Sequence, residues 1–272
     1  KAVALILKSY IVSVLTDQFG DIPYTEAWLG SAAAPILSAV YDTQESIYVA
    51  LLANLTEANT LLTDGAPEIK GDILFGNDLM KWKKFANSLR LRLLMRQSDR
   101  VDPTAAINAI ISDPSVFPIF ESNDDNAALA YLGSMPNNNP LNEDRKTRDD
   151  HRVSNTIIDV MWTNNSNMDY RLPLYALRPS AGGWWVGLPN GLNSTDALNY
   201  LGNGGTKTSK MGTYFTSATA PGMLMSYAEL QFILAEAVER GFLTGAMTAE
   251  EYYTAGVTGS YYQYADEIVA AN

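Results

Sequence analysis

Few of the ionisable residues in this 272-residue sequence stand in a pattern that acid–base chemistry requires. Two carboxylate pairs, Asp124 with Asp125 and Asp149 with Asp150, are the raw material of a glycoside hydrolase, a reaction that needs two acids several ångströms apart with separated pKa values. Adjacent acids in polar loops are ordinarily solvated charge, so the pairs alone define no cleft. His151, the single histidine, stands among charges in "KTRDDHRVS" and reads as solvated surface; it supports neither a His-rich zinc site nor a Ser-His-Asp triad. The stretch "ESNDDNA" offers oxygens of the kind calcium takes, but not at EF-hand spacing. Cysteine is absent, which removes thiolate metal sites, cysteine nucleophiles and disulfides. Neither a G-x-x-x-x-G-K-[ST] loop nor a G-x-G-x-x-G after a strand occurs. The expectation is no catalytic residue, no metal and no cofactor.

The sequence is better supplied for binding, with 15 tyrosines and 5 tryptophans. Trp82 and Trp162 fall within helical patterns and are expected in the core. Trp28, in "DIPYTEAWLG", and the adjacent Trp184 and Trp185, in "GGWWVGLPNG" at residues 182–191, sit among turn-forming residues with no periodicity that would bury them. Such rings either plug the underside of their own loops or form a stacking platform, since a flat π-face fits the C–H face of a sugar ring. Asn190 and Asn193 add paired donors and acceptors for hydroxyls. The expected ligand contacts are Trp184 and Trp185, then Trp28 and Asn190.

Helices at both ends of the chain must position these loops. Residues 1–18 read as a first helix closed by Gly20; its apolar run, residues 2–15, is too short for a bilayer span and is broken by Lys8 and Ser9, so it is expected to be buried. A second helix is expected from Asp42 as N-cap, with Glu45 three residues on and Ile47, Leu51, Leu55, Ala58 and Leu62 forming one stripe. A third, capped by Asp78, carries Trp82, Phe85, Leu89 and Leu93 on one face, with Lys81, Lys84, Arg92 and Arg96 elsewhere on its circumference. A short fourth begins with Asp102 as cap and Pro103 at the first helical position. Residues 113–225 read as long loops, in which only "VSNTIIDVMW" keeps a helical period. Helices return with a capping box of Ser226 and Glu229, a stop at Gly241, and a second box of Thr248 and Glu251. The last two make a helical hairpin of tetratricopeptide size.

A formal net charge of −11 argues against nucleic acid, whose phosphates require clustered Lys and Arg. The apolar run at residues 2–15 lacks the basic start and the small-residue cleavage site of a signal peptide, so the chain is expected to be an interior portion of a longer one.

The stretches "LTDQFGDIPYTEAW", "YDTQESIY", "GDILFGNDLMKWKKFANSLRLRLLMRQS", "YRLPLYA", "VGLPNGL" and "MSYAELQFILAEAVERGF" followed by "YYTAGVTGSYYQYA" resemble, in content and order, those of SusD-like (SusD/RagB) proteins over nearly the whole chain. Gly71 to Arg96 is the most specific piece. The resemblance implies an all-α fold of tetratricopeptide-like helix pairs with irregular segments packed on them. It implies one partial domain over residues 1–272, with a helical framework at about 1–112 and 226–264 and a ligand-binding segment at about 113–225. It also implies a cell-surface lipoprotein of the Bacteroidetes outer membrane, anchored by a lipidated cysteine outside this chain. Such proteins sit over a SusC-like TonB-dependent transporter and capture nutrients, most often glycans, without being enzymes. Some members capture peptides or other nutrients. Tyr170 departs from the proline that many relatives carry in "DPRLP", a change expected to alter only a turn. The family's ligand-binding aromatics vary in position, so the four contact residues above rest on residue type and setting. A hydrolase or a purely protein-binding helical scaffold stands behind ligand capture.

Overall fold

The computed structural model describes all residues except 64, 66, 149, 165, 166, 203, 204, 246 and 272. In chain order its elements are α1 (Ala2–Phe19), α2 (Gln44–Leu61), α3 (Leu79–Arg96), α4 (Thr104–Ser112), β1 (Ala127–Leu129), α5 (Pro140–Thr147), α6 (Asn155–Met161), β2 (Trp162–Asn164) and β3 (Asn167–Met168). There follow α7 (Leu172–Tyr175), α8 (Ser194–Asn199), α9 (Thr213–Thr216), β4 (Gly222–Met225), α10 (Tyr227–Glu239), α11 (Ala249–Tyr262) and α12 (Ala265–Ala271). Among the described residues the strands form two-stranded sheets, β1 with β4 and β2 with β3. The fold is helical, built of tetratricopeptide-like pairs, as the resemblance implies. Two compact units are formed: a helical unit of Lys1–Ala127 and Met225–Gly259, and a second unit of Ala128–Leu224 and Ser260–Asn272.

In the helical unit α1 packs on α2 and α2 on α3. By length and composition α1 is apolar enough to cross a membrane, which corrects the reading of its run as too short. Here it buries Ile6, Ser9, Val12, Ser13 and Thr16 within the unit. The second helix starts one residue later than its sequence suggests. Thr43 Oγ1 caps it by accepting from the Ser46 N–H, while the Asp42 carboxylate accepts from the N–H groups of Tyr24 and Thr25 at 2.9 and 2.8 Å and ties down the loop after α1. Likewise Pro103, not Asp102, is the cap residue of α4; Asp102 accepts from the Thr104 N–H.

Asp78 caps α3 as expected, and Trp82, Phe85, Leu89 and Leu93 are buried together. Arg92, off that apolar face, is nonetheless buried at 9% exposure and donates to the Glu229 carboxylate of α10 at 2.6 Å. Glu229 is thereby diverted from closing the capping box, although Ser226 Oγ still accepts from its N–H. The Thr248–Glu251 box closes in both directions.

Before α3, the Asp72 carboxylate accepts from the main-chain N–H groups of Leu74, Phe75 and Asn77 and from Trp82 Nε1 at 2.7 Å. One side chain thus shapes the loop and anchors the core tryptophan. Replacing it with alanine leaves these donors unmatched, and Asp72→Ala is expected to lower unfolding stability by about 2 kcal/mol or more. Burial pushes the Asp72 carboxyl up, but the Trp82 N–H and the three main-chain N–H groups outweigh it and hold it below the usual carboxylate range. A carboxyl depressed on folding contributes stability that is present above its unfolded pKa of about 4 and lost as pH falls through its folded value. Thermal melts from neutral pH down through the carboxylate range are expected to fall more steeply for the wild type than for Asp72→Asn. Parallel acid limbs would contradict the assignment.

The long irregular stretch at residues 113–225 also carries short helices beyond the one its period suggests. Five short helices, α5 to α9, lie there, and α5 has a legible start: Asn139 accepts from the Leu141 N–H, Pro140 opens the helix and Glu143 lies in its first turn. Between the helices, extended segments satisfy one another's main-chain groups. Val153 N donates to Ser209 O, Leu188 N to Val153 O, Asn155 N to Leu188 O, Ser209 N to Val186 O, and Leu177 N to Lys210 O, all between 2.7 and 3.0 Å. These bonds order a stretch that has little regular structure. Its core is Val153, Ile158, Met161, Leu172, Ala176 and Trp185, with Trp162, Met168, Tyr175 and Met211 packed against it.

Candidate functional site

Residues 182–191 cross this woven surface, and two glycines permit the crossing. A Cβ on Gly187 would stand 2.1 Å from the Asn155 Cα, and one on Gly212 would stand 1.7 Å from the Leu174 carbonyl oxygen. The obstructing atoms are main chain, so no rotamer change relieves them. Val186 and Leu188 are consequently pinned, and the tryptophans just before them are held by the frame.

The two adjacent tryptophans divide their roles. Trp185 is 5% exposed, belongs to the core cluster, and donates its indole N–H to the Ala176 carbonyl at 2.8 Å. The expectation that nothing buries it is corrected: the core cluster and the hydrogen bond to Ala176 hold its ring inside, while the neighbouring ring stays at the surface. Trp184 is 46% exposed. Trp162, expected in a helix core, instead leaves α6 at the start of β2, half-buried, and its ring lies 5.6 Å from Trp184 and 6.2 Å from Trp185 between centroids. Arg178 places its guanidinium carbon 4.7 Å from the ring centroids of both Trp184 and Trp185. Sequence reading missed Trp162 and Arg178, because their membership depends on chain crossings rather than on local pattern. The result is an exposed indole on a rigid aromatic base, which is what a stacking surface requires.

Asn190 is exposed and donates to Thr156 Oγ1 at 3.2 Å, leaving its carbonyl oxygen directed to no side chain among the described residues. Asn193 is engaged in local structure: it caps α8 by accepting from the Asp196 N–H and donates to the Asp196 carboxylate. Trp28 belongs to the helical unit, where it is 60% exposed with the Lys8 ammonium 5.3 Å from its ring centroid.

Three of the four paired acids are described, and each is engaged locally. Asp125 is buried and holds the Lys84 ammonium at 2.9 Å and the Glu121 N–H at 2.8 Å, so it is a structural carboxylate rather than solvated charge. The Asp124 carbonyl accepts from Lys81. Asp150 pairs with Arg148 at 2.9 Å, and Asp149 lies outside the described residues. His151 is partly exposed, its Nδ1 3.3 Å from an Asp144 oxygen. Tyr170 sits exposed in the turn between Asp169 and Arg171. There burial pushes the Asp169 carboxyl up, but the two-pronged grip of Arg171 outweighs it and holds it low. A cleft of about 600 Å³ in the helical unit is lined by Asp17, Tyr48, Arg96 and Arg100 among others. There Tyr48 and Arg96 both donate to Asp17, so its polar groups largely satisfy one another.

Known proteins bear on what this arrangement serves. No functionally curated protein matches the sequence. A family model described as starch-binding and associating with the outer membrane matches residues 1–272. Among solved structures, a chitin-binding protein is 30% identical, with a TM-score of 0.78 over 100% of this chain and 57% of that one. A SusD homologue from Bacteroides fragilis NCTC 9343 is 28% identical, with a TM-score of 0.79 over 99% of this chain and 59% of the other. An outer-membrane protein of Bacteroides vulgatus ATCC 8482, connected with nutrient binding, is 27% identical, with a TM-score of 0.76 over 99% and 60%. This chain therefore spans less than two thirds of the length of these relatives. With the family match covering the chain from end to end and the fold shared throughout, the chain belongs to the SusD-like family, described as starch-binding and associating with the outer membrane.

Proposed function

We propose that this protein captures glycans at the cell surface without chemistry and passes them to a SusC-like TonB-dependent transporter. The observation that carries the reading is Trp184: a half-exposed indole set on Trp162 and Trp185 by a frame that fixes its orientation. SusD-like proteins are generally non-catalytic binding proteins. In this proposal Trp184 stacks on a sugar ring, Asn190 orients a hydroxyl, Trp185 supports the platform from below, and Trp28 offers a second exposed ring in the helical unit. A stacking contact contributes about 1 kcal/mol beyond the area it buries, so affinity is modest. Modest affinity means fast release, which suits transfer to a transporter.

The test is a panel of plant, host-mucin and microbial polysaccharides, with binding followed by tryptophan fluorescence and chemistry followed by reducing-end release. Chito-oligosaccharides belong on the panel because a relative at 30% identity is a chitin-binding protein. Saturable binding with no reducing-end release is the expected result. Release of reducing ends would make the protein a hydrolase, and no response to any polysaccharide would favour the other nutrient class.

A further inference from the structure

We propose that the Trp184 platform takes saccharides bearing an anionic group, a carboxylate or a sulfate, and that Arg178 is the residue that recognises it. The inference rests on the reading of Trp184 as a glycan contact and narrows the class of glycan. Arg178 is exposed, and the rings of Trp184 and Trp185 are its partners among the described residues. By contrast Arg148, Arg171 and Arg240 each hold a carboxylate. A guanidinium lying on an indole keeps its N–H fork free at the edges, pre-oriented and weakly hydrated, and that fork matches the paired oxygens of a carboxylate or sulfate.

The surroundings favour the same sign of ligand. Residues 172–224 carry Arg178, Lys207 and Lys210 but a single carboxylate, Asp196, which is engaged by Asn193 at 2.7 Å. Lys207 lies on the segment bonded to the tryptophan loop, between Thr206, whose carbonyl accepts from Ala181 N, and Ser209, whose N–H donates to Val186 O. Its ammonium donates to the Leu201 carbonyl, a neutral acceptor, and pairs with no carboxylate among the described residues. The second unit has eight Lys and Arg against nine Asp and Glu, a formal charge of −1, so nearly all of the chain's −11 belongs to the helical unit. An anion approaching Trp184 thus meets only a slight net negative charge from its own unit. A neutral sugar has no need of a cation without a counterion beside it.

The experiment titrates the wild type, Arg178→Gln and Arg178→Lys with length-matched oligogalacturonate, κ-carrageenan oligosaccharide and a neutral galacto-oligosaccharide, at low and high salt. At least one acidic probe is expected to bind the wild type roughly tenfold tighter than the neutral one. Salt is expected to shrink the preference. Arg178→Gln abolishes the preference and Arg178→Lys keeps part of it, and the acidic probe that binds identifies the anionic group. Equal or tighter binding of neutral glycans, here or on the wider panel, or a preference that persists in Arg178→Gln, overturns the inference while leaving glycan capture standing. Silence of every saccharide on both panels overturns glycan capture and the inference with it.

Discussion

Gly187→Ala is expected to collapse the tryptophan site. The added methyl would stand 2.1 Å from Asn155 Cα, 2.3 Å from Asn155 N and 2.6 Å from the Ser154 carbonyl carbon, distances at which atoms overlap. Because every obstruction is main chain, residues 186–188 must withdraw from 153–155, breaking the bonds from Leu188 N to Val153 O and from Asn155 N to Leu188 O. Steric overlap and two stranded main-chain bonds together are expected to cost about 3 kcal/mol or more in stability. The measurement is a denaturant melt followed by tryptophan fluorescence, with circular dichroism alongside for the helices. An unchanged melting midpoint would show that the segments do not approach as closely as described.

Trp185→Ala is the second large effect, and it contrasts with its neighbour. Trp185 fills the core of its unit beside Val153, Ile158, Met161, Leu172 and Ala176, and satisfies the Ala176 carbonyl with its indole N–H. Truncation opens a ring-sized cavity and leaves an acceptor unmatched, an expected loss of about 3–5 kcal/mol. Trp184→Ala removes a ring that is half in solvent, so its melting temperature should stay within a few degrees of the wild type. Equal destabilisation by the two substitutions would contradict the division into support and contact.

What the sequence made legible follows the range of the interactions involved. The span of α3, its Asp78 cap and its buried stripe depend on neighbours within a turn or two, and so could be read directly. The Thr248–Glu251 box is local in the same way. Asp42 misled because a tertiary demand, the N–H groups of Tyr24 and Thr25, outcompeted its role as helix cap, and Thr43 beside it served instead. The burial of Arg92 is not legible locally, because its partner Glu229 is 137 positions away. The start of α5 in "NNNPLNED" has a local signal in its asparagine cap and proline, but the prolines and asparagines around it read as loop.

The site divides along the same line. That tryptophans in a glycine-rich loop belong to it could be expected from residue type. Which one faces outward, and that Trp162 and Arg178 join them, depends on the crossing of residues 153–155, 186–188 and 206–211, which no local pattern encodes. Trp28 falls in the helical unit and Asn193 is engaged as the cap of α8, facts that likewise depend on the fold rather than on residue type.

The most direct test is a side-by-side titration of the wild type and Trp184→Ala with whichever panel glycan binds, read by calorimetry, with melts confirming that both are folded. Loss of a supported stacking ring is expected to weaken binding roughly tenfold or more. A folded Trp184→Ala variant that binds the glycan as tightly as the wild type would contradict the account and place glycan capture elsewhere on the molecule.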